Sequence, residues 1–423
     1  MVEINFAPGD SVRLRLAKEE LDGIVLENPD PSVLLIKLES GYNLGIPKEN
    51  ILAARALKKY KEESKQKKPL QKSEGKPSIG LIITGGTIAA KLNPKTGGVY
   101  WLTDVNEFSN FYPELFEFVN VKKIEVPFMT SSESMTSEHW IKIAEAIKPM
   151  LDDPEIKGVI VTHGTDFLHY TSAALSFFLK NLNKPVVLTY SQRSVDRASS
   201  DAKLNLQCAA RMAIGEAAEV MLVGHASTND DYCYALRGTK VRKLHSSRRD
   251  AFKPVNTEPI AKVWPDKVEY LSKYNSRNNG KPELDISFTD KVALIKFYPG
   301  QDSSILDFYA LKYKGVVIEV GGLGHLPPSE SAHSWIPALK KHIKNGLVIC
   351  GAAQTIYGRL DPYVYSNGRE LVDAGVIFLG DMLAETALVK LGFVLGHHGW
   401  KTKAGEMMLS NMAGELNENL SVE

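Results

Sequence analysis

Residues 81–90 read LIITGGTIAA and residues 159–166 read VIVTHGTD. Each is an apolar run that breaks at glycine and then presents a threonine: Gly85-Gly86-Thr87 in one, Gly164-Thr165-Asp166 in the other. A continuous apolar run bounded by turn residues is how a strand buried on both faces reads. Ligands bind beyond the carboxyl ends of parallel strands in open α/β sheets, which is where these threonines emerge. One glycine–threonine turn is ordinary turn chemistry. Two on successive buried strands, the second followed by aspartate, point to a shared site.

Outward from these segments, strands alternate with amphipathic helices. Trp140, Ile143, Ala144 and Ile147 fall at helical spacing behind a Thr136 or Ser137 cap. A second helix carries Leu175, Phe178, Leu179 and Leu182, and apolar runs at 186–188 and 220–223 add strands. The pattern predicts a parallel sheet with helices on both faces, an α/β domain over residues 78–264. Residues 265–290 lose the pattern and carry Asn275, Asn279 and Gly280, so they read as a connector. Strands resume at 292–297, 316–320, 347–350 and 376–379, giving a smaller α/β domain over 291–423.

Upstream, Val12, Leu14 and Leu16 alternate with Arg13 and Arg15, and a second run follows at 33–38. Residues 1–55 therefore predict a small β module, closed as a barrel or docked on a neighbour, because so short a segment has little core of its own. Residues 56–77 are Lys-rich and lack apolar periodicity: a solvated linker, with an RNA-contacting arm as the sharper alternative.

Composition narrows the classes. A chain of 423 residues exceeds one core and implies several domains. A net charge of +1 gives no argument for a surface that grips nucleic acid as a whole. Cys208, Cys233 and Cys350 are few and far apart, which suits a reducing compartment better than a disulfide scaffold. The start, MVEINFAPGD, has no signal-peptide character, and no apolar run approaches the roughly 20 residues of a membrane span, so a cytoplasmic protein is expected. His163 reads as a structural histidine hydrogen-bonded beside the threonine turn, His139 and His325 have no partner at ligand spacing, and His397-His398 read as adjacent strand positions facing opposite ways; no metal is expected. Gly321-Gly-Leu-Gly324 lacks the lysine of a phosphate loop and reads as a turn.

The segments TGGTIAA (84–90) and THGTD (162–166) resemble the two threonine-bearing signatures of the asparaginase family. VRKLHSSRRDAF (241–252) is similar to the family's lysine segment and puts its catalytic lysine at Lys243. SSESMT (131–136) lies where the family binds substrate, which implies that role for Ser132 and Glu133. Tyr100, in the stretch after the first motif, resembles the tyrosine of the family's closing loop. DMLAETALVKL (381–391) is also family-like and reads as a packing helix. The resemblance runs from about residue 78 to about 410.

The extra N-terminal module is similar to that of the GatD branch, the asparaginase-like subunits of archaeal Glu-tRNA(Gln) amidotransferases. That resemblance implies glutamine hydrolysis and transfer of ammonia to a GatE subunit, which uses ATP and Mg to act on misacylated tRNA(Gln). It also implies a homodimer within a heterotetramer and no cofactor in this chain. A free-standing L-asparaginase and a non-catalytic tRNA- or protein-binding scaffold are the alternatives.

Amide hydrolysis needs a nucleophile, a proton acceptor and donors for the oxyanion. Thr87 is the favoured nucleophile because its glycine turn exposes it. Thr165, Asp166 and Lys243 then form the proton relay, although residue types alone allow the threonines to exchange roles.

Overall fold

The structure is a computed structural model, and it describes residues 5–28, 30–39, 43–59, 75–92, 99–101, 112–194 and 200–419. Five antiparallel strands form the N-terminal module in the order Asn43–Pro47, Val33–Leu38, Glu20–Val25, Ser11–Arg15, Ala53–Lys58. The period-2 pattern sends Val12, Leu14, Leu34 and Ile36 into one small core with Val25, Ile46 and Ile51. The last strand runs to Lys58, three residues into the stretch read as linker.

The large domain is built on eight strands in the order Val268–Tyr270, Ala261–Val263, Cys233–Arg237, Val220–His225, Val186–Thr189, Ile156–Thr162, Ser78–Ile83, Asn120–Glu125. The last five of these are mutually parallel, and the first three are added antiparallel. Separate apolar cores cover the two faces, one around Ile79, Leu81 and Ile83 and the other around Ile82, Val159 and Val161.

Two local readings of the large domain change. The connector, 265–290, supplies an edge strand, Val268–Tyr270: an antiparallel neighbour needs only a tight turn after Ala261–Val263, so no longer apolar pattern marks it. The helix expected to include Leu179 and Leu182 is Leu168–Phe178; Leu179 instead pairs with Leu284, and Asn181 adopts a left-handed φ of 53°.

The smaller domain has four parallel strands, Val292–Lys296, Gly315–Val320, Val348–Ala353 and Ile377–Phe378. Its helix Ala384–Gly396 also enters the large domain's core, where Phe393 lies 5.9 Å from Phe177 between ring centroids. His397 caps that helix rather than lying in a strand; it stacks on Trp400 at 3.8 Å and faces Asp285 at 3.0 Å.

This helix also carries an ion pair sealed from water. Lys390 Nζ donates to Glu415 Oε1 at 2.5 Å and to the Met408 carbonyl at 2.9 Å, and both charged side chains are fully buried. Removing one partner strands a desolvated charge. Lys390→Met is expected to cost about 3–5 kcal/mol, read as a lower urea midpoint at unchanged slope.

Candidate active site

Three loops at the carboxyl end of the parallel strands meet backbone to backbone. Gly85 and Gly86 hold φ values of 123° and 81°, which only glycine adopts without strain. A Cβ on Gly85 would lie 2.4 Å from the Thr130 carbonyl oxygen, and one on Gly86 would lie 2.5 Å from the Gly164 nitrogen. A Cβ on Gly164 would touch Ser132 at 3.2 Å. The glycines therefore do more than turn the chain: they let the two threonine turns and the 130–132 loop close on one another. Thr84 Oγ1 fixes the arrangement by donating to the Thr162 carbonyl at 2.8 Å, and the Thr130 amide donates to the Thr84 carbonyl at 3.0 Å.

Lys243, on the short strand Val241–Lys243, reaches this junction from another part of the chain. Its Nζ donates to Thr165 Oγ1 at 2.9 Å and to Asp166 Oδ1 at 2.7 Å, while Thr165 Oγ1 faces Asp166 Oδ1 at 3.4 Å. The lysine side chain is 9% exposed and the aspartate 61%. A hydroxyl, an amine and a carboxylate thus share one hydrogen-bonded triangle. Thr87 opens the next turn, half-buried and outside that triangle.

His163 directly follows the strand Ile156–Thr162 and is structural. Its Nδ1 meets the Gly164 carbonyl at 2.7 Å and its Nε2 meets Thr171 Oγ1 at 2.9 Å. Burial lowers its pKa from 6.5 to about 4. The unfolded chain therefore binds this proton where the folded chain does not, and stability falls as pH drops from 6.5 toward 4. The contribution is on the order of 3 kcal/mol. His163→Gln should flatten the dependence of the urea midpoint on pH across that window; an unchanged slope would assign acid sensitivity elsewhere.

The remaining sequence-derived residues divide. Ser132 is 4% exposed, and its Oγ accepts from the Phe167 amide at 3.3 Å, which seats it beside Gly164. Glu133 is exposed on the same turn, Ser132–Ser134. The Tyr100 backbone pairs with Lys91, and its side chain lies outside the described residues. Arg248 pairs with Asp250 and Arg249 with Asp230. His139 caps its helix, accepting from the Thr136 amide at 3.1 Å. No helix among the described residues is long and apolar enough to cross a membrane.

Sequence reading did not single out Thr84 or Thr130 as the hinges of the junction. Their contacts join residues 46 to 78 positions apart, and no periodicity reports such a pairing.

A doubly threonine-bearing junction with a lysine and an aspartate, at the mouth of a parallel sheet and followed by a second α/β domain, defines an asparaginase-type amidohydrolase. Family models agree: residues 78–276 match "Asparaginase, N-terminal" and residues 291–408 match "Glutaminase/Asparaginase C-terminal domain". The thermostable L-asparaginase from Thermococcus kodakarensis superposes with a TM-score of 0.72 at 29% identity, covering 81% of this chain and 100% of that one. Residues 6–57, ahead of the asparaginase match, match "GatD N-terminal domain". The GatD subunit of the glutamyl-tRNA(Gln) amidotransferase of Thermococcus kodakarensis is 48% identical over 96% of this chain and 94% of its own length. Its counterpart in Methanococcus maripaludis is 40% identical over 98% and 99%. The chain belongs to the GatD family of glutamyl-tRNA(Gln) amidotransferase subunits.

Proposed function

We propose that this chain is the glutaminase subunit of a Glu-tRNA(Gln) amidotransferase, releasing ammonia from the side-chain amide of glutamine. The observation that carries the chemistry is the Lys243–Thr165–Asp166 triangle beside the glycine turn of Thr87. In this reading Thr87 Oγ attacks the carboxamide carbon, and its proton passes to the Thr165–Lys243 relay. The C–N bond breaks as that proton reaches the leaving nitrogen, which departs as ammonia. Water then adds to the Thr87 ester and releases glutamate, restoring the hydroxyl.

None of these steps requires a cofactor held by this chain. ATP-dependent activation of the glutamyl-tRNA belongs to a GatE partner, with two copies of each chain in the assembly. Support for a partnered role comes from the N-terminal module and from relatives that are named as subunits.

The decisive measurement is ammonia release from glutamine and asparagine, with and without the partner subunit and Glu-tRNA(Gln). Strong stimulation of glutamine hydrolysis by both additions is expected. Rapid asparagine hydrolysis indifferent to either would make the chain a free-standing asparaginase, and no release under any condition would make it a scaffold.

A further inference from the structure

The segment leading to Lys243 is bonded at nearly every residue to the second domain. The Thr239 carbonyl accepts from Thr386 Oγ1 at 2.9 Å, and Thr239 Oγ1 donates to the Ala413 carbonyl at 3.0 Å. Lys240 Nζ donates to Asp381 Oδ2 at 2.5 Å, with both side chains fully buried. Arg242 Nη2 pairs with Glu385 Oε1 at 2.9 Å, its side chain 26% exposed and that of Glu385 9%. Asp381, Glu385 and Thr386 all come from the segment whose sequence reads as a packing helix, so that segment also holds the strand carrying the site lysine.

Val241–Lys243 is only three residues long and pairs with a single neighbour, Phe252–Pro254. Two-stranded pairs are marginal by themselves. The hairpin packs on the large domain through Val241 and Phe252, the latter 4.7 Å from Tyr190 between ring centroids, and the contacts from the other domain complete the hold on the backbone that carries Lys243. Among those contacts, the Arg242–Glu385 pair adjoins Lys243 directly in the chain and is the one not sealed in the core.

We infer that Glu385 is a positioning residue for Lys243, acting through Arg242, so that the seating of the second domain sets the geometry of the hydrolytic relay. The inference rests on the reading of Lys243 as part of that relay. Groups gathered around Arg242 and Glu385 include Glu319 at the end of its strand, Tyr170 and His169. Burial and the nearby Glu385 charge raise the Glu319 carboxyl, whereas the His169 ring is held neutral chiefly by burial. Asp166 is the acid in direct contact with Lys243.

Two readouts on the full-length chain test this. In the complex with its partner subunit and Glu-tRNA(Gln), Glu385→Gln should lower kcat for glutamine by about 10- to 100-fold, the range an ångström-scale misplacement produces, with KM nearly unchanged. Glu385→Asp should recover part of the loss. Arg242→Gln together with Glu385→Gln should cost no more than the worse single change, because both act through one pair.

The second readout does not need turnover. Acetylation of Lys243 by acetic anhydride across a pH series, read by mass spectrometry, should give a displaced curve in Glu385→Gln while that of Lys180 stays in place. Unchanged kcat together with an unchanged Lys243 curve would overturn the inference. So would a loss of activity that only tracks a loss of melting temperature. If the wild type hydrolyses neither amide, the functional reading fails, and the labelling curve alone still decides whether Glu385 positions the lysine.

Discussion

Thr87→Val is expected to lower kcat for amide hydrolysis by about three orders of magnitude or more, the scale on which loss of a covalent nucleophile acts. Valine keeps the branched shape and removes only the hydroxyl. Thr87 is half-buried and lies outside the hydrogen-bonded triangle, so the fold should tolerate the change within about 0.5 kcal/mol. An activity loss with an unmoved urea midpoint then isolates chemistry from stability.

Thr165→Val separates the two threonines. Its hydroxyl accepts from Lys243 and faces Asp166, the arrangement on which its proposed relay role rests. Thr165→Val should still be able to carry a glutamyl adduct on intact mass spectrometry after exposure to glutamine, and Thr87→Val should never carry one. An adduct on Thr87→Val, or a rate within tenfold of wild type, would reassign the nucleophile.

Lys243→Met carries the second large effect. It deletes both donations, to Thr165 Oγ1 at 2.9 Å and to Asp166 Oδ1 at 2.7 Å, and should reduce kcat by about 10²–10⁴-fold, the usual span for a proton-transfer group. The pair itself cannot account for such a loss through stability. Asp166 is 61% exposed, and ion pairs of that kind contribute about 0–1 kcal/mol.

Lys243→Arg sharpens the assignment. Arginine keeps the positive charge beside Asp166 but does not give up its proton near neutrality. If the lysine accepts a proton during turnover, the arginine variant should be nearly as impaired as the methionine variant. Full activity in Lys243→Arg would limit this position to holding Asp166 and Thr165 in place.

Much of the architecture is visible before any coordinates. Period-2 alternation at 12–16 marks the first module's strand, and the unbroken apolar runs before Gly85 and Gly164 mark strands covered on both sides. What periodicity misses are short elements held by neighbours rather than by their own composition. Val268–Tyr270 and Glu283–Leu284 are of that kind, and both fall in the stretch that reads as a connector. His397 misleads for a related reason: adjacency in sequence gives no face until the backbone's conformation is known.

The sequence by itself determined the class of chemistry, because the turn glycines, the two threonines, Asp166 and Lys243 are identifiable as residue types in family-like segments. It also determined that two α/β domains follow a small β module, since strand and helix periods are properties of neighbouring residues. Only the tertiary structure decided that Lys243 bonds Thr165 rather than Thr87, and that Glu385 pairs with Arg242 and Asp381 with Lys240 just ahead of it in the chain. Those contacts span 78 residues for the lysine–threonine bond and 141 for Lys240 with Asp381, and they form only when the chain's path brings strand ends and a distant helix together.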